Sequence, residues 1–76
     1  MTVKLYSTPT CPYCSMVRKF LQDNNIVFED IDIAESREAA HEMLRKPGQL
    51  GVPVLDVNGT IIVGFDMEAI KNALKF

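Results

Sequence analysis

Seventy-six residues provide for one domain, residues 1–76, and a chain this short buries only about three-fifths of its unfolded surface. Its 47% hydrophobic content suffices for a core, while a net charge of −2, with cations scattered from Lys4 to Lys75, excludes an electrostatic nucleic-acid binder. No apolar run approaches the roughly 20 residues of a membrane span, and Met1-Thr2-Val3-Lys4 leads into a strand pattern rather than a signal peptide, so a cytoplasmic location away from the membrane is expected.

Thr2 to Ser7 is rich in β-branched and aromatic residues and stops at Thr8-Pro9, which predicts a first strand. A helix fits from Pro12 to Asp23: proline at its first turn lacks only an N–H that would be unpaired anyway. Tyr13, Val17, Phe20 and Leu21 form its apolar stripe, and Asn24-Asn25 ends it. Val27 to Ile33 reads as a second strand, with Ile31 and Ile33 on one face and Asp30 and Asp32 on the other, the acids being assigned to the solvent face of an edge strand. Ser36 is the expected N-cap of a second helix with Ala39, Ala40, Met43 and Leu44 inward, broken by Pro47-Gly48. Pro53 to Val57 and Thr60 to Val63 flank Asn58-Gly59, a hairpin signal because both turn residues require positive φ. After Gly64, Asp66 caps a final helix whose inner face holds Met67, Ile70 and Leu74.

The order β-α-β-α-β-β-α predicts an α/β fold with a four-stranded mixed sheet flanked by three helices. The first crossover should make two strands parallel, and the hairpin adds an antiparallel pair.

Both cysteines fall in Cys11-Pro12-Tyr13-Cys14, between the first strand and the first helix. If the helix begins at Pro12, Cys11 takes the cap position, where backbone N–H groups and the helix dipole favour thiolate over thiol. Cys14 lies further inside the first turn, with less access. Cys11 is therefore assigned as the attacking sulfur and Cys14 as the resolving one, in a thiol–disulfide oxidoreductase. Competing readings remain. A zinc site needs about four ligands, and one cysteine pair with the lone His41 supplies them only if a dimer contributes a second pair. An iron–sulfur cluster bridged between protomers belongs to the same class of metal-binding module. A static disulfide over so short a loop would gain little entropy, and two inert buried cysteines would leave the strand-loop-helix context without a purpose. His41, between Arg37 and Arg45 at four-residue spacing, reads as a solvated surface residue. Tyr6, Phe20, Met43 and Met67 read as core, and Met16 as nearer the dithiol.

Taken together, Tyr6, Cys11-Pro12-Tyr13-Cys14, Gly51-Val52-Pro53 and Gly64-Phe65-Asp66 make the chain similar to the glutaredoxins over essentially its whole length. That resemblance implies a thioredoxin-like fold, a cis Val52–Pro53 bond, a Val52 main chain that pairs with the cysteine of bound glutathione, and Tyr13 beside the substrate. It further implies that Phe65 and Asp66 hold the γ-glutamyl end. The binding surface is then Pro12, Tyr13, Val52, Pro53, Gly64, Phe65 and Asp66, with glutathione as co-substrate, no tightly bound cofactor, protein disulfides as substrates, and a monomer as the working form. The chain departs from the family pattern at Thr8, where many members carry lysine, and at Val63-Gly64, where they carry paired glycines, while Gln49 stands where some carry a basic residue and others a glutamine. Two carboxylates on glutathione make a lost cation costly. Gly64-Phe65 before a helix is also similar to small redoxins that serve ribonucleotide reductase and take electrons from a thioredoxin-reductase-type flavoenzyme, so that donor is the alternative.

Overall fold

The structure is a computed structural model and describes residues 2–45 and 51–75. The Pro47-Gly48 break, Gln49 and the side chain of Leu44 lie outside the described residues. The elements run β1 (Val3–Ser7), α1 (Pro12–Asp23), β2 (Glu29–Asp32), α2 (Arg37–Arg45), β3 (Val54–Val57), β4 (Thr60–Val63) and α3 (Met67–Leu74). Type and order match the sequence expectation throughout. The sheet order is β2-β1-β3-β4, with β1–β2 parallel and both other pairs antiparallel.

Strand alternation divides the interior into two cores. Val3 and Leu5 of β1, with Leu55, Val57 and Ile62, meet Val17 and Leu21 of α1 and Ile70 and Leu74 of α3. Tyr6 and Val54 point to the opposite face, where Met43 of α2 covers them and Ile31, Ile33, Val52 and Ile61 pack around the edge. One face of the sheet thus carries α1 and α3 and the other α2. Because β1 is central and covered on both faces, Leu5 and Tyr6 are both fully buried.

Local chemistry sets the ends. Asn24 closes α1 by returning its side-chain amide to the Phe20 carbonyl at 2.8 Å, and Asn25 takes φ 58°. Ser36 Oγ accepts from Ala39 N–H at 3.1 Å and starts α2. In the hairpin Asn58 and Gly59 adopt φ 52° and 99°, and Asp56 Oδ1 accepts from Gly59 N–H at 2.8 Å, fixing the Val57–Thr60 register.

Two features of β2 differ from expectation. The parallel ladder pairs Lys4–Ser7 with Glu29–Asp32 and ends there, leaving Val27 outside the strand and 89% exposed. Asp30 and Asp32 do occupy an edge strand, but they are not merely a solvent face. Asp30 lies on the face that α1 covers and pairs with Arg18, while Asp32 Oδ1 accepts from Ala34 N–H at 2.9 Å. The apolar stripe of α1 therefore has a charged continuation that helical spacing alone conceals.

Leu5 sits at the centre of the larger core, so Leu5→Ala should lower unfolding free energy by about 2–5 kcal/mol in urea titrations, whereas Val27→Ala should change it by less than about 0.5 kcal/mol.

Candidate functional site

The site begins where β1 ends. After Ser7 the chain turns through Thr8, Pro9 and Thr10, and the Cys11 N–H returns to the Thr8 carbonyl at 3.4 Å. Cys11 stays extended (φ −91°, ψ 112°) as the N-cap of α1, with Pro12 in the first turn. That backbone lets the Cys11 side chain fold over the helix start, where its Sγ accepts the Cys14 N–H at 3.1 Å. The hydrogen bond and the positive end of the helix both stabilise negative charge on Cys11 Sγ once the pair is open. The two sulfurs are joined as a disulfide, with Cα atoms 5.2 Å apart. Cys14 is wholly buried, whereas Cys11 is only half-buried. The two sulfurs are therefore inequivalent in access as well as in hydrogen bonding.

A connected surface surrounds them. Pro12 is exposed, and Tyr13, 58% exposed, stacks on Phe65 with ring centroids 6.5 Å apart and planes 18° from parallel. Phe65 follows Gly64, which takes φ 82° and donates its N–H to the Pro53 carbonyl at 2.8 Å. The Val52–Pro53 peptide is cis, Pro53 is buried, and half-buried Val52 packs against the core cluster of Tyr6, Met43 and Val54. The segments 11–14, 52–53 and 64–65, distant in sequence, are thus linked through one ring contact and one backbone hydrogen bond. Asp66 is exposed at the edge of this set, and its Oδ1 accepts from Ala69 N–H at 3.1 Å to cap α3. Thr8 is half-buried and Val63 is 42% exposed.

Other titratable groups are placed away from a catalytic role. His41 is exposed on α2. Tyr6 donates its hydroxyl to Glu42 Oε1 at 2.6 Å, and burial first, then that bond and the Glu42 charge, push the phenol far above its ordinary range. Among the described residues no three His, Cys, Asp or Glu side chains cluster as a metal site, and no helix is long and apolar enough to cross a membrane.

Sequence reading missed a polar triangle beneath the loop. Arg18 Nε donates to Asp30 Oδ2 at 2.6 Å, Arg18 Nη2 donates to Ser7 Oγ at 3.1 Å, and Ser7 donates to Asp30 Oδ1 at 2.9 Å. Burial works against ionisation of Asp30. The hydrogen bonds from Arg18 and Ser7, with the Arg18 charge, outweigh it and hold the carboxyl below the usual range. Arg18 follows Val17 directly and lies four residues beyond Cys14 on the same helix, but nothing in the sequence joins it to Asp30 until the parallel register of β2 is known.

The family model Glutaredoxin matches residues 3–62. A glutaredoxin-like 8.6 kDa protein of the rubredoxin operon in Clostridium pasteurianum is 40% identical over 73 residues, covering 96% of this chain and 97% of that protein. A mutant of a thioredoxin-like protein superposes with a TM-score of 0.92 at 27% identity, over 97% of this chain and 95% of that one, which gives the fold as thioredoxin-like. The glutaredoxin-like protein NrdH-redoxin of Escherichia coli superposes with a TM-score of 0.83 at 25% identity, over 95% and 93% of the two chains.

A carboxyl held low in the folded state adds stability that is present above its unfolded value, near about 4, and is lost as pH falls through the folded value. Asp30→Asn should therefore lower the urea midpoint at neutral pH, and its gap to the parent protein should close as pH drops below about 4.

Proposed function

The chain belongs to the glutaredoxin family and is a thiol–disulfide oxidoreductase, and from that premise we propose that Cys11 attacks protein disulfides and glutathione mixed disulfides while Cys14 resolves. The asymmetry of the pair carries this reading: the half-buried Cys11 sulfur receives the Cys14 N–H, and Cys14 is sealed from solvent. The Cys11 thiolate attacks one substrate sulfur, and the other leaves as a thiolate that takes up a proton. Cys14 then loses its proton and attacks Cys11 Sγ, expelling the substrate's second sulfur. The substrate gains two electrons and two protons, and the Cys11–Cys14 disulfide closes. Two molecules of glutathione, oxidised to their disulfide, reopen it.

The substrate surface in this reading is Pro12, Tyr13, Val52, Pro53, Gly64, Phe65 and Asp66. The Val52 main chain pairs with the cysteine of glutathione, as a strand would. The stacked Tyr13 and Phe65 rings form one wall, and the start of α3 at Phe65 and Asp66 meets the γ-glutamyl end. The Asp66 carboxylate supplies the countercharge for the γ-glutamyl ammonium while remaining the helix cap.

A second reading, with a thioredoxin-reductase-type flavoenzyme as donor, draws support from Thr8 and Val63. Neither supplies a cation for glutathione's carboxylates, and Val63 adds an exposed apolar side chain beside Gly64. NrdH-redoxin, similar over nearly the whole chain, is described as glutaredoxin-like with a thioredoxin-like activity profile.

Coupled assays separate the donors. With NADPH, glutathione and glutathione reductase, the protein should turn over a small glutathione mixed disulfide. Turnover only with NADPH and thioredoxin reductase would transfer the assignment to the second reading, and turnover with neither would sink both. Cys14→Ser should abolish protein-disulfide reduction yet spare deglutathionylation, because a lone Cys11 still exchanges with glutathione.

A further inference from the structure

We propose that Arg18, Asp30 and Ser7 form a positioning clamp that keeps Cys11 Sγ over the start of α1 when the disulfide is open. The inference rests on the reading of Cys11 as the attacking sulfur.

The clamp joins three elements at the base of the site. Ser7 is the last residue of β1 and is 2% exposed; Thr8, Pro9 and Thr10 separate it from Cys11. Arg18 lies on α1 in line with the dithiol, since Cys11, Cys14 and Arg18 are spaced by three and then four residues along one helical stripe. Asp30 lies on β2, whose register with β1 places Asp32 opposite Ser7 and Asp30 opposite Leu5. The guanidinium reaches both other members, Asp30 Oδ2 at 2.6 Å and Ser7 Oγ at 3.1 Å, and Ser7 closes the triangle on Asp30 Oδ1 at 2.9 Å. With Thr8, Pro9 and Asp32, these side chains line a cleft of about 300 Å³ under the 8–10 loop. The charged groups facing it are Arg18 from α1 and Asp30 and Asp32 from β2.

In the oxidised protein the sulfur–sulfur bond itself pins Cys11 to the first turn. Reduction removes that tether. What then holds Cys11 is its N–H to the Thr8 carbonyl, long at 3.4 Å, its carbonyl accepting the Ser15 N–H at 3.3 Å, which fixes the backbone but not the side chain, and the Cys14 N–H to Sγ bond that must be preserved for the thiolate to be stabilised. A fork of donors linking the end of β1 to α1 limits how far the loop ends can separate, at a point fixed by the sheet through β2. Planar guanidinium geometry suits this: Arg18 meets two acceptors at once, which an ammonium at the same place would hold less rigidly.

Charge alone predicts a different outcome from positioning, so the two are separable. Acting only through space, loss of the Asp30 carboxylate would favour the thiolate, and Ser7→Ala would leave it unchanged. Loss of a clamp disfavours the thiolate in both. The test follows the rate of Cys11 alkylation by iodoacetamide against pH in reduced, full-length protein, with the modified sulfur identified by mass mapping and stability followed by urea titration. Ser7→Ala and Asp30→Ala should each shift the profile to higher pH and cut the neutral-pH rate by about threefold or more, and Arg18→Lys should fail to restore the parent profile. A profile that moves to lower pH in Asp30→Ala and stays put in Ser7→Ala would overturn the clamp in favour of simple electrostatics. Lower urea midpoints with unchanged profiles would overturn it in favour of a structural fastening. Should Asp30→Ala not fold, Ser7→Ala and Arg18→Lys decide the matter by the same criteria. Preferential alkylation of Cys14 in the parent protein would instead refute the assignment of Cys11, an outcome distinct from any of these.

Discussion

The first turn of an α-helix carries backbone N–H groups that no carbonyl of the helix can satisfy, and in this chain one of them is met by a sulfur. The bond from Cys14 N–H to Cys11 Sγ does the work usually left to Ser, Thr or Asp at an N-cap, and it does so with the residue that carries the chemistry. Much else in the fold serves that contact. Proline at position 12 removes a donor that would otherwise compete or remain unpaired, and its fixed φ suits the first helical position. The extended backbone of Cys11 points its side chain back over the helix rather than away from it. The buried stripe of Val17 and Leu21 then holds α1 against β1, so that the cap forms at one end of an interior strand of the sheet.

The division of the interior into two cores explains how one end of the molecule assembles a surface from three distant segments. The larger core fixes α1 and α3 on a single face of the sheet, and so brings the start of one helix near the start of the other. Tyr13, in the first turn of α1, and Phe65, just before the Asp66 cap of α3, meet as stacked rings at that junction. The smaller core reaches the same end from the opposite face. Val52 packs with Tyr6, Met43 and Val54, and Pro53 offers its carbonyl to Gly64 across the β3–β4 hairpin. A left-handed φ of 82° at Gly64 turns the chain out of β4 toward α3, and a Cβ would find open space there but a strained backbone. The requirement at this position is therefore conformational and not one of room.

Much of this is legible in the sequence, and the legible parts share a physical cause: they are written in consecutive residues. Pro12 after a capping residue, Ser36 before an alanine-rich stripe, Asn58-Gly59 between apolar runs and Asp66 ahead of Met67 each settle a local choice by chemistry within four or five positions. All seven elements followed from such signals. What escaped was either a matter of length or of partnership. Val27 has the composition of a strand, yet the ladder stops at the Lys4–Glu29 pair, one residue short of the start of β1, and leaves Val27 89% exposed. Asp30 and Asp32 alternate as solvent-facing residues should, but alternation says which face they share and not what stands over that face. Here it is α1, and Arg18 turns an apparently spare carboxylate into an ion pair.

That same distinction bears on the dithiol. Four adjacent residues announce redox chemistry because thiolate stabilisation is a local property of a helix start, readable from Cys11, Pro12 and Cys14 alone. The choice of reductant is not local. In the reading proposed above it turns on Thr8, Val52, Val63, Phe65 and Asp66, contributed by β1's exit, the cis-proline segment, the end of β4 and the approach to α3, and on which charges they lack. Asp66 shows the difficulty most sharply: its carboxylate has a sufficient structural reason to be present as the cap of α3, so its presence does not by itself argue for a ligand. Thr8 argues in the other direction. Half-buried in the cleft with Asp30 and Asp32, it supplies no cation, which in the proposed reading weighs on the choice of electron donor without touching the chemistry of the two sulfurs.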